Sequence, residues 1–217
     1  MRRIAPIVTR DFLARLTLGF SVGETPAIGF PPPGRPELSS AVPSGALIET
    51  QRERRPAQPR TFVAIALATG LGAGFAPFAP GTFGALLAIP IFVLLSHSFW
   101  GLTLALGALM AAGIWAASEA ERFFGREDDG RIVIDEVVGQ LLALTPLFAL
   151  PLESRTNVFA VVTAFVAFRG FDIAKPGPVR WAERRFEGGL GVMADDGVAG
   201  VLAAVGVAAL IAGGVFA

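Results

Sequence analysis

Five apolar segments separated by short polar turns restrict the fold of this chain more than any other feature. The segments cover residues 83–95, 102–117, 137–150, 158–168 and 198–217. Their length and composition are typical of helices, and no strand-like alternation of useful length occurs. Hydrophobic residues make up 53% of the chain and charged residues 17%, which departs from soluble proteins toward membrane proteins. We therefore predict an all-α helical bundle that crosses a membrane several times.

The first 60 residues differ from the rest of the chain. They contain 9 of the 16 prolines and 9 of the 18 basic residues, but no apolar run long enough to span a bilayer. Polar, proline-rich sequence buries too little apolar surface to offset the entropy lost on ordering. We predict a disordered extension over residues 1–60 and a helical domain over residues 61–217.

Basic residues cluster at three places, within residues 52–60, 122–131 and 180–185. Cytoplasmic segments of membrane proteins carry an excess of Lys and Arg. If all three clusters are cytoplasmic, the five apolar segments alternate correctly, provided that residues 61–80 lie at the surface or only dip into the membrane. Gly and Pro interrupt that stretch, so we expect it not to cross.

This topology brings four polar groups to one level, at the cytoplasmic edge of the bundle. Asp135 and Glu136 begin one outgoing helix, and Asp195 and Asp196 begin the last one. A returning helix ends at Arg169 and Asp172, and residues 79–84 begin the first outgoing helix. We predict a polar site that faces the cytoplasm. The plainer alternative is that the acids serve only as helix N-terminal charges and the arginines only contact headgroups.

Missing residue types narrow the chemistry of such a site. The chain has no Cys and no Tyr, and its single His, His97, lies in an apolar stretch. Thiolate and histidine-type phosphatases therefore lack their nucleophile, and neither an Asp-x-Asp motif nor a Walker P-loop occurs. The zero net charge gives no argument for nucleic acid. Metal-assisted attack of water on a phosphate remains.

The residues that are present suit this reaction. Carboxylates without His or Cys favour a hard cation, above all Mg²⁺. Arg169, Lys175 and Arg180 can donate to phosphate oxygens. Gly188 and Gly189 let the backbone approach a headgroup beside a helix N-terminus.

Three stretches resemble the phosphatidylglycerophosphatase A family of bacterial lipid phosphatases. They are PGTFG at 80–84, RIVIDEVVGQ at 131–140 and the long FRGFDIAKPGPVRWAERRFEGGLGVMADDGVAG at 168–200. Two positions depart from the family pattern. Gly177 replaces an aromatic residue between two prolines, and Ile134 stands where Trp is frequent.

The resemblance implies Mg²⁺-dependent hydrolysis of phosphatidylglycerophosphate to phosphatidylglycerol and phosphate, at a cytoplasm-facing site in the inner membrane. By motif position it implies catalytic roles for Asp135, Asp172, Arg169 and Lys175. The residues expected to bind substrate are Arg169, Lys175, Arg180, Gly188, Gly189 and Thr82. The expected metal ligands are Asp135, Glu136, Asp172, Asp195 and Asp196.

Two other kinds of protein remain as alternatives. An ion-coupled transporter would place its acids near the middle of the membrane on broken helices, and it would move ions. A non-catalytic headgroup-binding protein would bind the lipid without turnover. The sequence leaves open the oligomeric state and the choice among lipid phosphates.

Overall fold

A computed structural model describes residues 59–216, and all regular structure in that range is helical. The all-α prediction is therefore confirmed for this part of the chain. Seven α-helices follow one another: α1 Pro59–Ala68, α2 Pro80–Leu95, α3 Phe99–Phe124, α4 Ile134–Leu144, α5 Val158–Ala174, α6 Gly177–Arg185 and α7 Gly188–Ala212. Single 3₁₀ turns occupy Ala73–Phe75, Thr145–Ala149 and Leu152–Ser154.

The predicted disordered extension lies outside the described residues, apart from its last two. Pro59 and Arg60 belong to the start of α1. Ala64 and Ala68 are the buried residues of this helix, which packs against α3. The Ala68 carbonyl accepts a hydrogen bond of 2.8 Å from the amide of Val133, which ties the end of α1 to the start of α4.

Helix α4 is the centre of the bundle. Nine of its 11 residues are buried, and it packs against α2, α3, α5 and α7. Helix α7 is its most extensive neighbour and also packs against α3, α5 and α6. A short helix surrounded in this way holds any polar side chain at its ends inside the bundle rather than in solvent.

Glycines allow α4 and α7 to approach each other closely. A methyl group on Gly200 would overlap the carbonyl oxygen of Gly139. A methyl group on Gly139 would lie 2.7 Å from the carbonyl oxygen of Asp196 and would also meet the Phe168 ring. Small residues at such crossings let helix backbones come together. The contact sets Asp196 against α4.

The helix boundaries correct two predictions. Helix α7 begins at Gly188, so Asp195 and Asp196 lie two turns inside the last helix and do not begin it. Gly189 is buried against α3, where its amide donates to the Ser118 hydroxyl at 3.1 Å, so packing outweighs the weak helix propensity of glycine. The stretch after Lys175, read as a turn, contains helix α6, with Pro178 in its first turn.

Within residues 59–216, two helices are long and apolar enough to cross a membrane, namely α3 and α7. Helix α3 is longer than the predicted segment because it continues through charged residues to Phe124, and Gly125 then ends it with a φ of 70°. Helices α1 and α2 are apolar but shorter. These helices fit a membrane protein.

Arg155 joins two turns at one end of the bundle. Its guanidinium donates to the carbonyls of Ser96 at 2.9 Å, Leu150 at 3.1 Å and Phe148 at 3.2 Å. Ser96 follows α2, whereas Phe148 and Leu150 follow α4. The C-terminal ends of α2 and α4 therefore lie together, and both helices begin at the opposite end.

Candidate active site

Three carboxylates meet where α4 begins. Asp135 and Glu136 stand in the first turn of α4, and Asp196 reaches them from α7. One oxygen from each residue lies within 4.8 Å of the other two. Only 8% of Asp135 and 3% of Asp196 is exposed. We call Asp135, Glu136 and Asp196 the carboxylate trio.

Each residue of the trio has one buried oxygen without a hydrogen-bond partner. Asp135 Oδ1, Glu136 Oε2 and Asp196 Oδ2 are buried, and none has a hydrogen-bond partner among the described residues. Buried carboxylates are costly unless they are paired or coordinate a metal. Oxygen donors without nitrogen or sulfur match a hard divalent cation such as Mg²⁺. The trio therefore fits a Mg²⁺ ion.

Arg169 stands beside the trio and is also largely buried. Its Nη1 lies 2.6 Å from Asp172 Oδ2, but neither Nη1 nor Nε has an aligned hydrogen-bond partner. The contact with Asp172 is thus an ion pair that leaves donors available. Asp172 is in turn a neighbour of the Asp196 carboxyl group.

The N-terminus of α2 closes the other side of this group. Ala79 adopts a left-handed conformation with φ 46°, and α2 then starts at Pro80. A methyl group on Gly81 would overlap Glu136 Oε1 and lie 3.2 Å from Arg169 Nη1. Thr82, a predicted substrate contact, is half-buried in the same first turn. Side chains from α4, α5 and α7 and the start of α2 are thereby brought together.

Lys175 is held by two carboxylates. Its Nζ donates to Glu183 at 2.6 Å and to Asp195 at 2.9 Å. Partial burial lowers the pKa of Lys175, but these two bonds outweigh it and leave the pKa above its usual value. The structure therefore pairs Asp195 with Lys175, and it does not place Asp195 in the trio.

The remaining predicted substrate contacts are Arg180, Gly188 and Gly189. Arg180 is exposed on α6. Gly189 is packed against the Ile114 carbonyl and Ser118 of α3. Gly188 lines a cleft of about 230 Å³ together with Asp195 and Glu183. The structure does not bring these three residues to the trio.

Arg131, within the second matching stretch, has a structural contact. Its Nε donates to Asp129 Oδ1 at 2.6 Å and its Nη2 to Asp129 Oδ2 at 2.8 Å. The guanidinium carbon lies 3.7 Å from the centre of the Phe124 ring. The bonds from Arg131 hold the pKa of Asp129 below its usual value, against the effect of partial burial. This pair shapes the loop that leads into α4.

Sequence reasoning missed two residues of this region, Gly81 and Gln140. Gly81 leaves room for Glu136, whereas Gln140 is fully buried with both amide atoms unpartnered. Both stand inside matching stretches. A polar residue four positions after Glu136, on an otherwise apolar helix, was the available signal for Gln140.

Fold and site together define a class: a helical membrane protein with a buried oxygen-donor trio beside an arginine and a helix N-terminus. Comparison with known sequences narrows the class to a family. The family sequence model described as Phosphatidylglycerophosphatase A matches residues 66–211. The chain belongs to the phosphatidylglycerophosphatase A family.

Of two individual relatives, one carries the name of the family and the other is named for a different lipid phosphatase activity. A protein of Escherichia coli K12 named "Phosphatidylglycerophosphatase A" is 41% identical over 140 residues, which cover 64% of this chain and 77% of the relative. A Bacteroides thetaiotaomicron protein named "Putative phosphatidylinositol-3-phosphatase" is 46% identical over 147 residues, or 65% of this chain and 89% of the relative. No solved structure matches the chain significantly.

Proposed function

We propose that this protein hydrolyses the phosphomonoester of phosphatidylglycerophosphate, which yields phosphatidylglycerol and phosphate. The observation that carries the proposal is the buried trio beside Arg169, in a chain of the phosphatidylglycerophosphatase A family. The trio offers sites for a cation, and Arg169 offers donors for an anion. The transporter and scaffold alternatives are not favoured, because both the family and its relatives carry phosphatase names.

Asp135, Glu136 and Asp196 are the proposed Mg²⁺ ligands. When bound there, Mg²⁺ supplies Lewis-acid stabilisation to the phosphoryl oxygens and makes water a better nucleophile. Asp172 and Asp195 were also predicted as ligands. Their partners in the structure, Arg169 and Lys175, support a different role for each, which is to orient the cation beside it.

The chain's own side chains position and neutralise the phosphate. Arg169 binds phosphoryl oxygens through Nε and through the hydrogens of Nη1 that its ion pair with Asp172 leaves available, and Asp172 holds the guanidinium in place. The start of α2, with Thr82, is favourable to an anion. Lys175 can serve as a phosphate clamp only by sharing or leaving the carboxylates that hold it.

Hydrolysis forms one P–O bond and breaks another. A water oxygen attacks phosphorus while Asp135 or Asp172 accepts its proton. The ester P–O bond breaks, and the glycerol oxygen takes a proton as it leaves as a hydroxyl group. Donors fixed on the phosphoryl oxygens stabilise the charge that develops there.

We further propose that the catalytic unit, residues 61–217, crosses the bacterial inner membrane several times with the trio facing the cytoplasm. The lengths of α3 and α7 support the membrane location. The basic residues near 122–131 lie in the last turn of α3 and the loop after it, and those at 180–185 lie in α6, at the end of the bundle that carries the trio. The excess of positive charge on cytoplasmic segments supports the orientation.

The decisive assay measures phosphate release by the purified protein from phosphatidylglycerophosphate in detergent micelles with Mg²⁺. We expect Asp135→Asn and Asp196→Asn each to lower the rate by roughly 10²-fold or more, and chelation of Mg²⁺ to abolish it. Glu153→Gln, an exposed change at the opposite end of the bundle, is the matched control. Unchanged rates in both Asn variants would refute the site.

The same assay decides between two lipid substrates. Because one relative is named for phosphatidylinositol 3-phosphate, that lipid is offered in parallel at equal concentration. We expect faster release from phosphatidylglycerophosphate. The reverse order would keep the phosphatase chemistry and change the substrate.

A further inference from the structure

Gln140 is the one residue with buried, unpartnered side-chain atoms that has not yet been given a role. Seven such atoms occur among the described residues, and they belong to five residues: Asp135, Glu136, Gln140, Arg169 and Asp196. Four of the five form the group described above. The fifth, Gln140, is 0% exposed, and both its Oε1 and its Nε2 lack partners.

The position of Gln140 on α4 directs it toward the same group. It follows Glu136 by four residues, so the two share a helix face, about 6 Å apart along the axis at the usual rise. Helix side chains lean toward the helix N-terminus. This lean directs the Gln140 side chain back along α4, toward the turn that carries Glu136.

A buried amide without partners is unfavourable in the empty protein. Leaving such a donor or acceptor unsatisfied forfeits its full desolvation free energy. Residues on the surrounding turns, such as Ala85, Leu144 and Phe168, are apolar and buried, and they offer no side-chain hydrogen bond. A ligand that enters the site can supply the missing partner.

The unpartnered atoms divide by chemistry into two sets. The carboxylate oxygens of the trio are acceptors, which suit a cation. The nitrogen atoms, namely Arg169 Nε and Nη1 and Gln140 Nε2, are donors, which suit an anion. A neutral amide also adds a donor without repelling phosphate, beside three acidic groups that do repel it.

We propose that Gln140 is a substrate-binding residue whose carboxamide NH₂ donates a hydrogen bond to an oxygen of the phosphoryl group held by Arg169. This inference rests on the proposed phosphatase function and adds a residue to its anion side. The carboxamide oxygen then remains free to accept a hydrogen bond from water.

The test replaces Gln140 with Met, which has a similar shape and no amide. Binding of inorganic phosphate to the full-length protein in detergent, with Mg²⁺ present, is measured by titration calorimetry. We expect Gln140→Met to weaken phosphate binding by roughly 10- to 100-fold, as for a lost hydrogen bond to a charged group. Mg²⁺ binding without phosphate should stay unchanged, because the trio is intact.

Thermal unfolding separates this role from a structural one. Removing two unsatisfied amide atoms should leave the phosphate-free melting temperature equal or higher, while the added stability from phosphate shrinks. Leu144→Met, one turn deeper and fully buried, is the control and should bind phosphate like the parent. Gln140→Leu repeats the test with a second apolar side chain.

Several outcomes would overturn the inference. They are phosphate binding within twofold of the parent in Gln140→Met, weakened Mg²⁺ binding with phosphate binding unchanged, a parent that binds no phosphate, or failure of both Gln140 variants to fold. The proposed activity is judged separately, by lipid hydrolysis in the parent. If the parent binds phosphate through Gln140 but releases no phosphate from phosphatidylglycerophosphate, the proposed activity is refuted and the inference about Gln140 is not.

Discussion

At the scale of single residues, the geometry of the site depends on the glycine at position 81 as much as on the charged residues. Gly81 lies against Glu136 Oε1 and Arg169 Nη1. The clashing Glu136 atom is the far end of a flexible side chain, so a methyl group there can be accommodated if Glu136 moves. Such a move displaces the Glu136 carboxylate from the trio but changes little of the helix packing.

We therefore expect Gly81→Ala to lower phosphate release by roughly 10²-fold, because misplacement of a reacting group by about 1 Å has such an effect. Its melting temperature should stay close to that of the parent. Gly107→Ala is the control, since a methyl group on Gly107 of α3 meets nothing within 4 Å. Equal activity in Gly81→Ala and the parent would contradict the close contact with Glu136.

Lys175 was predicted to bind phosphate, but in the structure it contacts two carboxylates. Its Nζ donates to Glu183 of α6 and to Asp195, two turns inside α7, so Lys175 links the end of α5 to the next two helices. The predicted phosphate clamp must compete with these carboxylates. Arg169 is also ion-paired, to Asp172, but its Nε has no hydrogen-bond partner among the described residues, so we expect it to bind phosphate more tightly than Lys175 does.

At the scale of helices, the crossing of α4 and α7 sets the geometry of the trio. Two of its members come from α4 and one from α7, and the two helices touch through Gly139 and Gly200. The atom that a side chain on Gly200 would meet belongs to the backbone, so it cannot rotate away. The helices themselves would have to separate.

Gly200→Ala should destabilise the protein by about 1–3 kcal/mol, as overpacked cores do, and should lower phosphate release by moving Asp196 away from α4. Thermal unfolding and the lipid assay measure the two effects. Gly206→Ala on the same helix is the control, because a methyl group there has open space. Parent-like stability and activity in Gly200→Ala would show that the crossing tolerates a wider spacing.

At the scale of the whole molecule, the two ends of the bundle have different chemistry. One end holds the trio, Arg169 and Lys175. At the other end, Arg155 satisfies the carbonyls of the turns after α2 and α4. The trio end also carries the basic residues of 122–131 and 180–185, whereas the guanidinium of Arg155 at the other end is occupied by backbone carbonyls. This difference supports the proposed cytoplasmic orientation of the trio.

The absence of Cys from the whole chain allows this orientation to be tested by single-cysteine labelling. Glu127→Cys and Glu153→Cys place exposed thiols at the trio end and at the Arg155 end. In intact cells, we expect a membrane-impermeant thiol reagent to label Glu153→Cys only. Glu127→Cys should react after permeabilisation.

The opposite labelling pattern would invert the proposed topology. Labelling of both positions in intact cells would contradict a trio that faces the cytoplasm. The parent, which has no thiol, measures the background.

Much of this protein was predictable from the sequence, because helices in an apolar chain follow local composition. The apolar segments predict the all-α fold. Three motif stretches carry the resemblance to the family, and the order of the segments predicts that the polar groups meet at one end. The sequence predicts helix boundaries less accurately where glycines are frequent. Helix α7 starts ten residues before the predicted segment at 198, since its glycines serve helix packing and not a turn.

The sequence by itself determined the helical class, the family, and the charged residues available for chemistry. Only the tertiary structure decided which of them meet. Asp135 and Glu136 join Asp196, whereas Asp195, its neighbour in sequence, turns to Lys175. Adjacent residues on a helix point in directions about 100° apart, so the crossing of α4 and α7 determines which one reaches the trio. Likewise, only the packed structure shows that the Gln140 amide is buried without a hydrogen-bond partner among the described residues.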